Sequence, residues 1–174
     1  DVDIKITGHQ WKWQYDYLGE DVGFFSNLTT SKDEIYDITE KGENYLLEVD
    51  KHLVVPSGQK IRCLITTKDV IHAWWVPEIA VKKDAIPGYI NESWAIIPEG
   101  EEGIYRGQCA ELCGIQHGFM PIVLEVVTTN QYQSWLDDQR AGVEAEAAAA
   151  LGDFSYDDLM TEGAEVYART CAAC

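Results

Sequence analysis

The sequence predicts an all-β sandwich or barrel followed by a C-terminal helical segment. Three observations carry this. Short runs of alternating apolar and polar residues recur between Asp3 and Val127, the period-2 pattern of half-buried strands. Turn signals such as Pro56-Ser57-Gly58 punctuate them. After Thr129 the apolar spacing turns helical, with Tyr132, Trp135 and Leu136 sharing one side.

Taken in order, Asp3 to Thr7 and Gln10 to Tyr17 read as the first strands. Alternation puts Trp11, Trp13, Tyr15 and Tyr17 on one face of the second. Such an aromatic stripe is ordinarily core. Leu18 to Asn44 is polar, contains glycine and has no sustained period; it reads as an irregular excursion with a helical turn near Ser31 to Ile35. Tyr45 to Val49, His52 to Val55, Lys60 to Thr67, Val70 to Val76, Tyr89 to Ile97, Gly103 to Gln108 and Ile122 to Val127 read as further strands. Cys63 alternates with Ile61 and Ile65, as a buried core thiol would. Thr129 is the expected N-cap of a helix to Arg140. Ala141 to Gly152 is an alanine- and glutamate-rich linker, semi-rigid if helical. Tyr156, Leu159, Met160, Ala164, Val166 and Tyr167 predict a second helix. The expected organisation is therefore a β domain over 1–140, a linker over 141–152 and a second unit over 153–174.

The chain has 174 residues, 46% of them hydrophobic, and a formal charge of −17. That charge argues against a nucleic-acid partner. It suits a basic protein partner drawn in by long-range attraction. No run approaches the ~20 apolar residues of a membrane span, and no signal peptide is visible. The five cysteines are an odd count, which argues against a simple disulfide framework.

The chemistry concentrates between Gln108 and Pro121. Cys109, Cys113, His117 and Met120 form one compact set of soft or borderline donors. Thiolate and thioether favour copper(I)-like metals, and imidazole suits copper or zinc. Oxygen-seeking cations would find poor partners here. Gly114 and Gly118 allow the loop to fold back on itself. A further ligand is offered by His72, which lies in the apolar, aromatic stretch Asp69 to Pro77. An imidazole there needs a hydrogen bond or a metal. Two cysteines, two histidines and a methionine exceed a mononuclear blue-copper set, and the extra cysteine points to two coppers bridged by thiolates. A copper-storage or zinc-structural protein is the non-redox alternative. His9 has no sulfur neighbour in sequence and reads as a hydrogen-bonded structural residue; His52 reads as a surface residue at a strand start.

These stretches, together with Gly8-His9-Gln10-Trp11-Lys12-Trp13, Leu46-Leu47-Glu48-Val49-Asp50 and Lys83-Asp84-Ala85-Ile86-Pro87-Gly88, resemble the CuA domain of cytochrome c oxidase subunit II. The motifs stand in the family's order over the first three-quarters of the chain. The resemblance implies a cupredoxin-like Greek-key barrel. It implies that Cys109 and Cys113 bridge two coppers, that His72 and His117 each bind one, that Met120 is a weak axial ligand, and that Glu111 contributes its backbone carbonyl. It leaves the Glu111 carboxylate free to help bind Mg2+ or Mn2+ toward subunit I, with Asp84 near the same interface. It makes Trp11 the point where electrons enter from cytochrome c, and Asp16, Asp50 and Asp69 the acidic docking residues. Lys68 departs from the family, which often has an acid there.

The function so implied is electron entry into haem-copper cytochrome c oxidase, a proton-translocating oxidoreductase, with electrons passed on to subunit I. The chain alone would only transfer electrons. The CuA domain of nitrous oxide reductase is the alternative, opposed by Glu111, since that family typically has an aromatic residue between the cysteines. Subunit II carries membrane helices ahead of this domain. Asp1 falls where they would end, so a soluble portion on the periplasmic face of a bacterial inner membrane is expected. Gly163 and Tyr167 leading into Cys171-Ala172-Ala173-Cys174 resemble the opening of a class I cytochrome c domain. Cys171 and Cys174 would attach haem c in a longer chain that supplied the histidine. A C-x-x-C pair also fits a redox dithiol or half a zinc site.

Overall fold

The computed structural model describes residues 1–150 and 155–170. The chain divides into two compact units, Asp1–Arg140 and Ala141–Cys174. The strands of the first unit are β1 (Val2–His9), β2 (Lys12–Tyr17), β3 (Val22–Ser26), β4 (Leu53–Pro56), β5 (Lys60–Thr67), β6 (His72–Val76), β7 (Val81–Ala85), β8 (Asn91–Ile96), β9 (Gly103–Cys109) and β10 (Pro121–Val127). They form two five-stranded sheets, ordered β3-β2-β1-β5-β8 and β4-β10-β9-β6-β7. Neighbours are antiparallel, except that β1 runs parallel to β5 and β4 to β10.

Alternation drives this packing. Ile4 and Ile6 of β1, Trp13, Tyr15 and Tyr17 of β2, and Ile61, Cys63 and Ile65 of β5 turn into the core. They meet Val55, Trp74, Ile122 and Leu124 of the second sheet. Burial pushes the Cys63 thiol up to about 12, which leaves it a small inert core residue. Tyr17 joins the two sheets. Its hydroxyl donates to the Val54 carbonyl at 2.8 Å and accepts from the Val54 N–H at 3.0 Å. Trp74 donates its indole N–H to the Tyr15 hydroxyl at 3.4 Å.

Strand direction gathers one end of the sandwich into a site. The β1–β2 hairpin turns at Gln10 and Trp11, β6 begins at His72, β9 ends at Cys109 and β10 begins at Pro121. The pairing of β6 with β9 sets Trp74 opposite Cys109, and the Ala110 N–H continues it by donating to the Ala73 carbonyl at 3.0 Å. His72 and Cys109 are thus delivered by neighbouring strands in a fixed register.

Several expectations need correction. The strand expected from Gln10 starts at Lys12, so Trp11 lies in the turn and not on the aromatic face. Tyr45 to Val49 is no strand. Leu46 takes a left-handed φ of 60°, and the N–H groups of Tyr45 and Leu47 bond back to Gly42 and Asn44. Only an isolated Leu28–Val49 bridge is formed there. Two strands went unread. In β3 the alternation is masked by Gly23 and the exposed Phe25, while β7 buries only Val81 and Ala85 around Lys82, Lys83 and Asp84. The excursion does contain the expected helical turn, α1 (Lys32–Ile35), capped by Ser31 with Glu34 in a reciprocal capping box.

The next helix, α2 (Thr129–Ala150), is capped one residue earlier than expected. The Thr128 hydroxyl accepts from the Gln131 N–H while the Gln131 side chain accepts from the Thr128 N–H. Tyr132 and Leu136 are buried and Trp135 packs against the same core. The alanine-rich stretch is helical as far as Ala150. In the second unit, α3 (Tyr156–Thr170) carries the expected helix. Cys171 and Cys174 lie outside the described residues. Among the described residues no helix is long and apolar enough to cross a membrane.

His52, expected at the surface, is half-buried between two carboxylates. Its Nδ1 meets Glu125 at 2.8 Å and its Nε2 meets Glu48 at 3.1 Å. Arg106 pairs with the second oxygen of Glu48. Burial alone would raise the Glu48 carboxyl, but the hydrogen bonds from Arg106, the Val49 N–H and His52 outweigh it and hold the carboxyl below its ordinary value of 4.5. A carboxyl depressed on folding stabilises above its unfolded value and loses that contribution as pH falls through its folded one. Replacing Glu48 by Gln is therefore expected to cost about 1 kcal/mol at neutral pH and to flatten the acid limb of stability below pH 4.5. Thermal melts across pH 3–7 check this; an acid limb identical to wild type would refute it.

Candidate metal centre

The soft donors converge. The Cys109 and Cys113 sulfurs lie 3.8 Å apart, far beyond the ~2.05 Å of a disulfide, and both cysteines are free thiols. Nδ1 of His72 lies 3.8 Å from the Cys109 sulfur. Nδ1 of His117 lies 3.5 Å from the Cys113 sulfur. The Met120 thioether is 3.6 Å from Cys113, and the Glu111 carbonyl accepts from the Cys109 thiol at 3.3 Å. The donor atoms of His72, Cys109 and Cys113 all lie within 4.8 Å of one another; His117 joins this group through Cys113. His72 is fully buried and Cys109, Cys113 and Met120 nearly so, whereas His117 is half-buried and Glu111 exposed.

The electrostatics of the thiols suit a cation. Burial raises both, but at Cys109 the bonds with His72 and with the backbone at Glu111 and Ala73 outweigh burial and bring it down. Cys113 is pushed up by burial and then by the charge on Cys109. The pair gives up one proton readily and the second reluctantly. A bound metal ion would remove that reluctance, since coordination deprotonates a thiol outright.

A second layer fixes the His72 ring. Asp69 Oδ1 bonds its Nε2 at 2.8 Å. The same carboxylate accepts from the Val70 N–H at 2.7 Å, the Thr67 hydroxyl at 3.2 Å and the Gln10 N–H at 2.8 Å. With Nε2 donating to a carboxylate, Nδ1 is left to face the sulfurs. For His72, burial lowers the imidazole, but its bonds with Cys109 and Asp69 prevail and raise it. Trp13 lies edge-on to the ring at 5.9 Å and donates its indole N–H to the Met120 carbonyl at 3.3 Å, so Trp13 is the core residue expected.

Trp11 is half-buried in the hairpin turn and donates its indole N–H to the Cys113 carbonyl at 3.1 Å. Of the expected docking acids, only Asp69 joins the cluster, and its carboxylate is engaged inward. Asp50 accepts from the Asn27 N–H and amide, and Asp16 from the Gln14 amide. His9 is bonded to Gln14 at 3.2 Å, as its structural reading anticipated. Sequence reasoning missed Asp69 as a brace, although the Asp-x-x-His spacing was visible. It also missed Gly8, where a Cβ would stand 2.8 Å from His72 Cδ2.

A two-sheet β-sandwich with cysteine, histidine and methionine donors gathered at one end is the architecture of a cupredoxin-like copper domain. Residues 2–127 match the family model described as cytochrome c oxidase subunit II, periplasmic domain. A probable cytochrome c oxidase subunit 2 of Rickettsia prowazekii is 43% identical over 136 residues, covering 78% of this chain and 42% of the relative. The mitochondrial subunit 2 of Vigna unguiculata is 43% identical over 143 residues, covering 79% of this chain and 36% of the relative. The crystal structure of the periplasmic domain of subunit II of cytochrome oxidase from Bradyrhizobium japonicum superposes with a TM-score of 0.71 at 39% identity, covering 82% of this chain and 95% of that one. The chain belongs to the cytochrome c oxidase subunit II family. It spans about two-fifths of the length of the curated relatives it matches. Nothing in these relationships supports the nitrous oxide reductase alternative.

Gly8 offers a test of how tightly His72 is seated. An alanine methyl there would collide with the imidazole, an overpacking expected to cost about 1–3 kcal/mol. Gly8→Ala should melt lower without metal and bind copper more weakly, measured by calorimetry and metal titration. Wild-type copper affinity in this variant would show that the ring has room to move.

Proposed function

We propose that Cys109, Cys113, His72, His117, Met120 and the Glu111 carbonyl hold a dinuclear copper centre of the CuA type. On this reading the domain accepts electrons from cytochrome c and passes them to subunit I of a haem-copper oxidase, at the periplasmic face of a bacterial inner membrane. The observation that carries the reading is the pairing of donors. Each sulfur has its own imidazole, Cys109 with His72 and Cys113 with His117, while the two sulfurs stand side by side. A mononuclear site of two histidines, one cysteine and an axial methionine would leave one thiolate without a task. Copper held by these residues would supply a one-electron store, with the charge change spread over two metals.

The protein's part is to keep that geometry still. Strand register places His72 and Cys109, and Asp69 fixes the ring. Close packing around the buried sulfurs excludes water and limits rearrangement when charge changes. Trp11 presents its indole at the end of the hairpin, bonded to the peptide of a sulfur ligand, which suits it as the entry point for electrons. The Glu111 side chain, exposed while its carbonyl faces Cys109, remains available for Mg2+ or Mn2+ in the assembled complex. Asp16, Asp50 and Asp69 stay candidates for donor docking, Asp69 with a second duty toward His72. Residues 153–174 are read, from their sequence pattern, as the opening of a cytochrome c-like unit.

The spectrum of copper-loaded protein tests the core of this proposal. Purple colour with hyperfine structure from one electron over two copper nuclei is expected. A blue mononuclear spectrum, or a colourless zinc-preferring protein, would overturn it. Cys113→Ser should abolish the dinuclear signal, because a hydroxyl does not replace a bridging thiolate.

Trp11→Ala separates an entry role from a packing role. A core tryptophan would cost about 3–5 kcal/mol on truncation. The entry role predicts a modest stability loss and a near-normal copper spectrum, with reduction by cytochrome c slowed by orders of magnitude. Stopped-flow reduction beside a thermal melt decides. The wild-type rate should also fall as salt rises, since charges beyond ~10 Å are screened at ~0.1 M.

A further inference from the structure

We propose that Gln10 is a positioning residue for the metal centre, tying the brace on His72 to the loop that carries Cys113. This rests on the copper reading above but concerns a residue with no donor atom in the site. Gln10 is exposed, in the turn between β1 and β2, and by composition alone would pass for a solvated turn residue. Its two hydrogen bonds say otherwise. Its backbone N–H donates to Asp69 Oδ2 at 2.8 Å, and Asp69 Oδ1 holds His72 Nε2 at 2.8 Å. Its side-chain amide donates to the Cys113 carbonyl at 2.8 Å. One residue is thus bonded both to the brace of the strand-delivered His72 and to the loop that carries Cys113.

The loop is shaped to receive this contact. The Cys113 carbonyl accepts from Gln10 and from the Trp11 indole, so both lone pairs are occupied. The following residue, Gly114, has a φ of +116°, and a Cβ there would stand 3.0 Å from the Trp11 ring and 3.1 Å from the Gln10 amide nitrogen. Only a residue without a side chain allows the turn to lie so close. Without the Gln10 amide, the Cys113 peptide keeps the Trp11 indole as its single side-chain donor, and the backbone that aims its sulfur is held less firmly. His72 keeps its brace, because the Gln10 N–H is a backbone group that survives any substitution but proline.

The side-chain contact also demands length. Asparagine keeps the polarity but falls one methylene short. Methionine keeps the length but has no donor. If Gln10 merely solvates the turn, asparagine should behave as wild type. If it positions Cys113, asparagine and methionine should fail alike.

The experiment uses the whole chain with Gln10→Asn and Gln10→Met. In the reduced, metal-free protein, alkylation of Cys113, read residue by residue by mass spectrometry, should quicken about fivefold in both variants, the effect of losing one neutral hydrogen bond. Alkylation of Cys63 should be unchanged. After copper loading, both variants should show shifted absorption maxima and altered copper hyperfine splitting, with a melting temperature close to wild type. Wild-type alkylation and spectra in both variants would overturn the proposal, as would a wild-type result for asparagine alone. Collapse of the melting temperature in both would also overturn it, since the role assigned leaves the core intact. A wild-type chain that gives no dinuclear spectrum would defeat the functional reading instead, while the alkylation result would still judge Gln10.

Discussion

A fully buried imidazole governs this structure. His72 has no access to water, so both ring nitrogens must be satisfied from within the protein. Asp69 answers Nε2 and the sulfur cluster faces Nδ1. Much of the local sequence follows from this. Gly8 must lack a side chain for the ring to sit, Trp13 must lie edge-on beneath it, and Thr67 and Gln10 must hold the carboxylate in place. The ring links the strand framework to the chemistry, which is why a position outside the sulfur loop is as constrained as any within it.

How much of this could be read from the chain depends on the range of the interaction. Cys109, Cys113, His117 and Met120 lie within one short loop, and their donor chemistry speaks without any knowledge of the fold. His72 was legible because an imidazole amid Ala73, Trp74 and Trp75 calls for a partner. The long alternating strands β1 and β5 were equally plain. Contacts between distant positions were not. Gln10 and Cys113 are separated by 103 positions, and no local pattern shows that a turn residue will meet a loop carbonyl. Trp11 was assigned to an aromatic face by alternation, yet the hairpin turns at that point. Edge strand β7, rich in charge, offered too few apolar residues to show a period.

The charge of −17 and the surface around the metal loop complement each other. Leu112 and Ile115, beside the sulfur ligands, are 78% and 90% exposed, and Val70 and Ile71 lie exposed just before His72. On the proposed docking reading, the chain's excess of acids would provide long-range attraction to a basic donor without direction. A small apolar surface beside the ligands provides short-range contact that salt does not screen. On that reading the two would act at different distances, so the proposed encounter would be fast without being held together by buried ion pairs, whose desolvation would be costly.

The pair of hydrogen bonds between the Tyr17 hydroxyl and Val54 bears on solubility. β4 is the last strand of its sheet, and an outermost strand with free backbone groups is a template for another chain. Val54 offers no such template, because its N–H and its carbonyl are already taken by one phenol. At the opposite border of the same sheet, β7 presents Lys82 and Lys83, whose charges discourage a neighbour from stacking alongside. The sheet that delivers His72 and Cys109 is thus closed to cross-β growth at one border by a hydroxyl and at the other by like-charge repulsion.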